Sequence, residues 1–539
     1  MTSEEYEKQI KEYHKHSDRH ILVLETNMLS PDAQKVFAMS DRLRKAGNEL
    51  VAIMRNKYYQ LLRTKRYRKL LKLYGKAKKG TSERVNYGRQ LQEMQETYGV
   101  SWNVCRKEMI HIAKKYNVLA VFGVTKAEDV WHGVEKCLYS DGKTIHFSKF
   151  GDYPCLRAKQ IDRAIPVSIK DGELVGKIGK IKFSLLAKDR FQRGEMNAVV
   201  NYMQNHEKED MYAVKHLMET GKCISTYRPC YATLVPKKIR GRYRVFLHLC
   251  IEGKAIPKFD RYGNPRHKYG KGVIGADIGT QTVAYTSETK VGLKNLAERE
   301  QSIARSERQE RILYRAMDRS RRATNPQNYN EDGTIKKGKK VWYYSKRYKK
   351  LKYSHAELCR KNAENRRFAN NEDANYLRSL GDVFITEPKN ASKLAKKAKK
   401  TTVNEKTGKL NKKKRFGKSI KNRCPGYFQA KVQQLFESTG GLYIEVPNNY
   451  RASQYDHTAD DYIKKKLSQR MFKLADGTEV QRDWYSSFLL YCYSFETSDI
   501  NKSKCIAEFP KQIVREKALI AEIKAKKIKV LNSGIKIAA

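Results

Sequence analysis

Hydrophobic positions recur at helical spacing over a long stretch near the start of the chain. Between residues 48 and 79, apolar side chains return every three or four positions, and Arg and Lys fill most places between them. This spacing predicts an amphipathic α-helix that buries one face. The predicted buried stripe consists of Leu50, Met54, Tyr58, Leu61 and Leu62. Further helical runs over residues 82–98 and 103–116 extend the prediction to a helical domain at about residues 30–140.

The hydrophobic period shortens between residues 142 and 253. Segments such as YATLVPKKI and YRVFLHLCIEG are separated by turns rich in Gly, Pro and Lys, as β-strands are. We predict a β-barrel-like domain over residues 141–270 with a helical insert at about residues 194–220. An earlier strand at residues 21–24, within residues 1–29, would belong to the same domain. The helical domain would then be an insertion into the β domain.

Strands and helices alternate beyond Lys271, where a polar linker-like segment ends. GVIGADIGTQTVAYTS predicts a β-hairpin, and DVFITEP and GGLYIEV each predict a further strand. Long basic helices are expected at about residues 295–322 and 342–369. These patterns predict an α/β domain over residues 271–502, so the whole chain is expected to be a multidomain α+β protein.

Two basic segments complete the picture. Between Lys393 and Arg423 the only acid is Glu405, so we expect this segment to fold only on a ligand. Residues 503–539 form a basic tail that is either helical or unstructured.

The charge balance narrows the class of partner. The 539 residues contain 111 Lys and Arg against 58 Asp and Glu, a formal net charge of +53. A large polyanion, usually nucleic acid, makes such self-repulsion tolerable. The chain has no run of about 18 apolar residues, and residues 1–15 lack the apolar core of a secretory signal. We therefore expect nucleic-acid partners and no membrane.

Ten cysteines are scattered along the chain without a Cys-x-x-Cys pair. This distribution favours free thiols in a reducing compartment over a disulfide frame or a four-cysteine zinc site. We expect a cytoplasmic protein of a bacterium or archaeon that acts at the nucleoid.

Three acids stand at element ends in the last domain. Asp277 interrupts an apolar strand, Glu387 ends the strand VFITE, and Asp483 opens a helix. Converging carboxylates are what two-metal phosphodiester cleavage needs, because Mg²⁺ prefers hard oxygen ligands. Each acid alone has a plainer alternative: a turn-capping Asp, an exposed strand-end Glu and a helix N-cap Asp.

Taken together, the order of these motifs resembles the TnpB proteins of insertion sequences and the compact RuvC-bearing type V CRISPR effectors. The resemblance covers about residues 271–496 and rests on GADIGTQTVAY, DVFITEP, RFGKSIKNRCPGYFQAKVQQLF, ASQYDH and LSQRMFKLADGTEVQRDWYSSFLL. It implies an RNA-guided DNA endonuclease with an RNase H-like (RuvC) domain. The site would hold two Mg²⁺ ions, or Mn²⁺ in their place, on Asp277, Glu387 and Asp483. The upstream regions would correspond to recognition and wedge domains.

One departure from that family concerns zinc. Its members usually carry two Cys-x-x-Cys pairs before the final Asp, whereas residues 451–482 contain no cysteine. Because His457 alone cannot hold zinc, we predict no structural zinc and expect a short hairpin at Asp476 and Gly477 to order this lobe.

Basic residues at helical spacing predict the nucleic-acid contacts. The predicted contacts are Arg305, Arg308, Arg311, Arg315, Arg319, Arg322, Lys346, Arg347, Lys349, Lys350, Lys413, Arg415, Lys418, Arg423 and Arg482. In the predicted helical domain, the basic residues beside Tyr59, Tyr67 and Tyr74 favour nucleic-acid contact through charge and stacking over an ordinary bundle with a solvated face. Among the basic residues of the later helices, the aromatic side chains are either stacking platforms for bases or core residues; they are Trp342, Tyr343, Tyr344, Tyr348 and Tyr353.

The expected partners are a guide RNA, from a transposon end or a CRISPR array, and target double-stranded DNA. Two alternatives stay open at this point. One is an RNA-guided DNA-binding protein, similar to a repressor, that does not cut. The other is a structural RNA-binding protein without a guide, which would leave the ordered acids unexplained.

Overall fold

A computed structural model describes residues 3–140, 142–159, 163–298, 303–396, 402–403, 416–465 and 468–537, with side chains from residue 8 onward. The chain divides into two compact units, Met1–Lys258 and Phe259–Ala539.

The first unit combines helices with one large sheet. Its helices are α1 Ser3–His16, α2 Ser30–Arg63, α3 Lys65–Lys76, α4 Ser82–Thr97, α5 Trp102–Lys115, α6 Ala120–Tyr139 and α7 Arg190–Thr220. Its strands are β1 Arg19–Thr26, β2 Leu156–Ala158, β3 Val167–Lys170, β4 Glu173–Ile178, β5 Ile181–Leu186, β6 Pro229–Ile239 and β7 Arg242–Glu252.

The helical run predicted after the first strand is present as α2 to α6, which lie between β1 and β2 in the chain. Most of the predicted stripe on α2 is buried, and it packs in one core with residues of α5 and α6. Tyr67 also belongs to this core and is bonded by Gln95, whose Nε2 donates to the Tyr67 hydroxyl at 3.2 Å. The suggestion that Tyr67 stacks on nucleic acid is therefore wrong.

The seven strands pair in the order β2-β6-β7-β1-β5-β4-β3. The early strand β1 lies inside this sheet, antiparallel to both β7 and β5, as expected for a strand that belongs to the later β domain. No pairing among the described residues joins β2 to β3, so the sheet has two edges where the prediction had a barrel.

The second unit contains helices α8 Ile303–Thr324, α9 Lys346–Arg378, α10 Ala391–Ala395, α11 Gly417–Arg423, α12 Pro425–Ser438, α13 Arg482–Tyr491 and α14 Lys502–Ala525. Its strands are β8 Val273–Ile278, β9 Thr282–Ser287, β10 Val291–Asn295, β11 Val383–Thr386, β12 Leu442–Glu445, β13 Tyr455–Asp456, β14 Asp461–Tyr462, β15 Met471–Lys473 and β16 Glu479–Gln481.

Five of these strands form a mixed sheet in the order β10-β9-β8-β11-β12. The first three form an antiparallel meander, and β11 runs parallel to both β8 and β12. The predicted β8–β9 hairpin is confirmed, with the Gly279 amide donating to the Thr282 carbonyl at 2.8 Å. The long crossover from β10 to β11 contains the two basic helices α8 and α9.

Helix α13 lies directly on the sheet because Gly275 has no side chain. A Cβ atom at Gly275 would lie 2.1 Å from the Tyr491 amide nitrogen and 2.2 Å from the Ser487 carbonyl oxygen. Glycine in the middle of β8 thus permits a close backbone approach. The first turn of α13 is thereby held near the end of β8.

Two predictions about less regular regions have different outcomes. The described ends of the basic segment are helical (α10 and α11), while Lys413 and Arg415 lie outside the described residues, so the expectation that the segment folds only on a ligand stays a prediction. The hairpin expected at Asp476 and Gly477 is confirmed by the antiparallel pairing of β15 with β16. Among the described helices, none combines the length and the apolar character that a bilayer crossing needs.

Candidate active site

Strands β8 and β11 bring the first two predicted acids side by side. In their parallel register Thr386 is opposite Ala276, and the Thr386 hydroxyl donates to the Ala276 carbonyl at 2.8 Å. The next residues on the two strands are Glu387 and Asp277. Pro388 follows Glu387 and cannot continue the hydrogen-bond ladder, so the pair lies where β11 ends.

Helix α13 supplies the third acid. Its N-cap is Gln481, whose Oε1 accepts from the Trp484 amide at 2.7 Å. Asp483 therefore does not cap the helix, which removes the plainest alternative for this residue. Its carboxylate is largely buried and instead has two guanidinium neighbours, Arg470 at 3.3 Å and Arg482 at 3.4 Å.

One lysine contacts two of the acids and is influenced by the charge of the third. The Lys389 ammonium donates to Asp277 Oδ1 and lies 4.0 Å from Glu387 Oε2. Burial opposes the charged form of Lys389, but the charges of Asp277 and Glu387 outweigh it, and its pKa is raised. The Asp483 carboxylate adds to this effect. Three carboxylates from β8, the end of β11 and α13 thus act on one cation.

The same electrostatics act on the carboxylates. Burial, reinforced by the negative charge of Asp277, raises the pKa of Glu387, while Lys389 opposes this shift. Burial and Asp277 also raise the pKa of Asp483 against the effect of Arg482 and Arg470. Carboxylates in such surroundings gain from a neighbouring cation. Their donors are hard oxygens, which fits the ligand preference of Mg²⁺.

The three acids do not share one tight ligand shell in this structure. Among the described residues, one group of three His, Cys, Asp or Glu has its ligand atoms all within 4.8 Å of one another, and it is Glu310, His355 and Cys359. The predicted trio is held around Lys389 at wider separation. A metal centre on it would require Lys389 to withdraw.

The residues that the motifs did not reveal are Lys389, Arg470 and the Glu310 group. Lys389 stands two positions after Glu387 in TEPKN. Side chains alternate along an extended segment, so this spacing could have placed Lys389 on the same side as Glu387. Arg470 lies thirteen residues before Asp483 and reaches it through the β15–β16 hairpin. No local spacing signals that contact.

The predicted basic contacts fall into two groups. Ten of them are exposed on α8 and α9: Arg305, Arg308, Arg311, Arg315, Arg319, Arg322, Lys346, Arg347, Lys349 and Lys350. Arg322, although exposed, is paired with Asp318 at 2.7 Å, and the remaining described contacts also have protein partners. Lys418 lies 2.7 Å from Glu307, Arg482 neighbours Asp483, and Arg423 is buried against Glu298 and the Leu296 carbonyl. Arg423 is thus a packing residue in this structure, because its guanidinium does not reach the surface.

The aromatic residues around the start of α9 are mostly exposed. Tyr343, Tyr344 and Tyr353 are each more than 40% accessible, and Tyr344 stacks on Tyr348 with ring centroids 4.6 Å apart. Trp342 is covered by the Arg321 guanidinium at 5.1 Å. Exposed rings among basic residues can stack on bases.

The lobe at residues 451–482 is ordered by side chains other than cysteines. The Asp456 carboxylate accepts from the Thr458 amide and hydroxyl and from the Ala475 amide, at 2.7–3.0 Å. His457 Nδ1 bonds the Tyr485 hydroxyl at 2.7 Å, and its ring packs against Phe509. Among the described residues, His457 belongs to an aromatic core and not to a group of side chains that could bind a metal ion.

Comparisons with known proteins find likeness only among solved structures. No family model matches the chain, and no curated protein matches it. A CRISPR-Cas12f ternary complex is similar at 13% identity and TM-score 0.24, covering 85% of this chain and 82% of the other. A Cas12f1–sgRNA–target DNA complex is similar at 11% sequence identity and TM-score 0.23, and the match covers 88% of this chain and 99% of the other. The mini-RNA-guided endonuclease CRISPR-Cas_phi3 is similar at 10% sequence identity and TM-score 0.27, and the match covers 90% of this chain and 96% of the other.

Proposed function

We propose that this protein is an RNA-guided DNA endonuclease that hydrolyses phosphodiester bonds at Asp277, Glu387 and Asp483. The observation that carries the proposal is the convergence of these acids, far apart in sequence, on the Lys389 ammonium. Turn capping, exposure at a strand end or helix capping would each account for one acid. None of them accounts for three acids around one cation.

The strand arrangement supports the same proposal. The order β10-β9-β8-β11-β12, with an antiparallel meander followed by parallel strands, is consistent with the α/β nuclease domain proposed for residues 271–502. In open α/β sheets, functional groups gather at the carboxyl ends of strands. Asp277 and Glu387 lie near such ends, and the close packing of α13 on Gly275 adds Asp483.

The site's own residues suggest how the reaction is organised. Asp277, Glu387 and Asp483 would hold two Mg²⁺ ions, which supply a nucleophilic water and stabilise the leaving oxygen. Lys389 keeps the carboxylate charges compensated before the ions bind, and it must move away from Asp277 when they do. Arg470 and Arg482 flank Asp483 and are placed to orient its carboxylate. The exposed arginines of α8 offer a path for a phosphate backbone.

The decisive experiment compares Asp277→Asn with Asp476→Asn. Asp277→Asn keeps the side-chain shape and removes the charge, so we expect cleavage of guide-matched DNA to be lost while RNA binding stays. Asp476 lies in the β15–β16 turn, where its Oδ1 accepts from the Thr478 amide, and Asn can accept the same bond. This control should cut normally. Cleavage by Asp277→Asn at the parental rate would end the proposal.

The guide RNA and the target DNA are identified from RNA bound to the purified protein. RNA that copurifies with the full-length protein would be sequenced to distinguish a transposon-end guide from a CRISPR guide. Double-stranded DNA matched to that RNA then serves as the substrate. If no discrete RNA copurifies, the guided part of the proposal fails while the nuclease part is still tested on unguided DNA.

One observation favours the second candidate, a guided DNA-binding protein that does not cut. Lys389 occupies the middle of the acid cluster, and the three carboxylates are wider apart than the Glu310 group. A permanently closed cluster would bind DNA without hydrolysing it. Incubation of the guided complex with target DNA in Mg²⁺, and in parallel in EDTA, separates the two: Mg²⁺-dependent products exclude the non-cutting protein.

A further inference from the structure

A second cluster of ligand-type side chains lies between the two basic helices. His355 and Cys359 are four residues apart on α9, so they face the same side of that helix. Glu310 approaches them from α8. The His355 Nε2 atom lies 3.6 Å from Glu310 Oε1 and 3.6 Å from Cys359 Sγ. Neither His355 nor Glu310 has been given a part in the proposed function.

These separations have the dimensions of a metal coordination shell. Tetrahedral zinc with bonds of about 2.0–2.3 Å to N, O and S places its ligand atoms about 3.3–3.7 Å apart. The described side chains of His355 and Glu310 are only 16% and 19% exposed, so water competes weakly. One sulfur, one imidazole and one carboxylate also match the ligand types that zinc accepts.

Space for an ion and a further ligand is available beside the cluster. A cavity of about 370 Å³ is lined by Glu310 and Cys359, and by Lys421 from α11. The Lys421 ammonium lies 3.3 Å from Glu310 Oε1, where it supplies the positive charge that this carboxylate needs. A cation in the cluster would take over that role.

We propose that Glu310, His355 and Cys359 form a site for a divalent transition metal, with Zn²⁺ as the preferred ion, that joins α8 to α9. The fourth position faces the cavity and is open to water, as in zinc sites with three protein ligands. When the metal binds, the Cys359 thiol loses its proton to solvent and the sulfur–metal bond forms.

The test uses full-length protein, reduced and stripped of metal with EDTA, and Co²⁺ as the probe. We expect one equivalent of Co²⁺ to produce a thiolate-to-cobalt charge-transfer band, and Zn²⁺ to displace it. Cys359→Ser should abolish the band, and His355→Gln should weaken binding roughly tenfold or more, since even partners of metal ligands contribute that much. Cys424→Ser, another partly exposed cysteine in the same unit, is the control and should keep the band.

A variant that is expected to bind Co²⁺ more tightly shows whether the losses in the other variants result from misfolding. Lys421→Gln removes the ammonium that competes for Glu310, so it should bind Co²⁺ severalfold more tightly than the parent. Absence of the band in the parent, or its persistence in Cys359→Ser, would overturn the proposal, and so would weaker binding by Lys421→Gln. Because the titration contains no nucleic acid, its outcome is independent of whether the protein cuts DNA.

Discussion

The Lys389 ammonium donates a hydrogen bond to the Asp277 carboxylate across the ends of β11 and β8. Both side chains are mostly buried, with 28% and 13% exposed. A charge pair in such surroundings stabilises the folded protein when the alternative is an uncompensated buried charge. The same contact blocks any other cation from reaching Asp277 fully. Under the proposed mechanism, Lys389 therefore stabilises the metal-free protein and competes with the ions for Asp277.

Replacing Lys389 by Met should separate these two effects. Met retains the aliphatic chain and removes the charge, so the metal-free protein should lose about 2 kcal/mol of unfolding free energy. Mg²⁺ should bind more tightly because its competitor is absent. Urea unfolding in EDTA and calorimetric Mg²⁺ titration measure the two quantities. Lys431→Met, at a half-buried lysine on α12 whose pKa is lowered by burial, is the control. Weaker Mg²⁺ binding by Lys389→Met would show that Lys389 assists the ions.

Gly275→Ala should disturb both stability and cutting. The added methyl group would meet the backbone of α13 at Ser487 and Tyr491, which a side-chain rotation cannot relieve. We expect a loss of about 3 kcal/mol or more and a displacement of Asp483 from Asp277 that lowers cleavage. Urea unfolding and the cleavage assay report the two effects.

The matched control for that substitution is Gly75→Ala on α3. Nothing lies within 4 Å of the position of its Cβ atom, and Ala favours a helix over Gly by up to about 1 kcal/mol. This variant should be as stable as the parent or slightly more stable. A Gly275→Ala protein of parental stability would mean that α13 does not approach β8 so closely.

Buried Glu516 on α14 should make stability depend on pH. Its Oε1 accepts from the Gln481 amide at 2.6 Å, and burial raises its pKa from 4.5 to about 8. Between these values the folded protein keeps a proton that the unfolded chain has lost. The free energy of unfolding should therefore fall as pH rises through this window, by about 1.4 kcal/mol per pH unit.

Glu516→Gln tests this linkage, because Gln still accepts from the Gln481 amide but does not titrate. The stability of this variant relative to the parent should increase steadily from pH 5 to about pH 8 when both are followed by urea unfolding. Glu508→Gln, on the same helix and paired with Lys511 at 3.1 Å, controls for the loss of a carboxylate. If the difference in unfolding free energy between Glu516→Gln and the parent stays constant with pH, Glu516 does not hold a proton in the folded protein over this range.

Local patterns in the sequence predicted the elements that carry the acids better than the contacts between them. The hairpin at Asp277 and the strand before Glu387 follow from hydrophobic spacing and from Gly279 and Pro388, whereas the helix that starts beside Asp483 follows from hydrophobic spacing alone. The contact of Lys389 with Asp277 depends on strand register, which joins residues more than a hundred positions apart. No short-range pattern encodes that distance.

The same limit explains why two residues that were predicted to contact nucleic acid are buried in this structure. Tyr67 and Arg423 have the residue types expected of contacts with RNA or DNA. Tyr67 is covered by its own helical domain, and Arg423 is held by Glu298. Whether a ring or a guanidinium is buried depends on the packing of other segments. The spacing of basic residues within α8 is decided inside one helix, and there the prediction of an exposed basic face agrees with the structure.

That face leads to a prediction about salt dependence. Arg308, Arg311, Arg315 and Arg319 recur at intervals of three and four on α8 and are exposed, and no ion pair joins them to an acid among the described residues. If the face follows a phosphate backbone, replacing Arg311, Arg315 and Arg319 by Gln should reduce the slope of log K against log salt by about 2 to 3, since each phosphate contact contributes about 0.7–0.9.

The control for this face is Arg360→Gln. The Arg360 guanidinium on α9 is already paired with Glu357 and Glu364, both at 2.7 Å. It is therefore not free to bind a phosphate and displace a counterion, and its replacement should leave the salt dependence unchanged. Binding measured by filter retention at several salt concentrations should give the parental slope for this variant. If the triple Arg→Gln variant also keeps that slope, α8 does not contact the phosphates, and the excess positive charge must act through another surface.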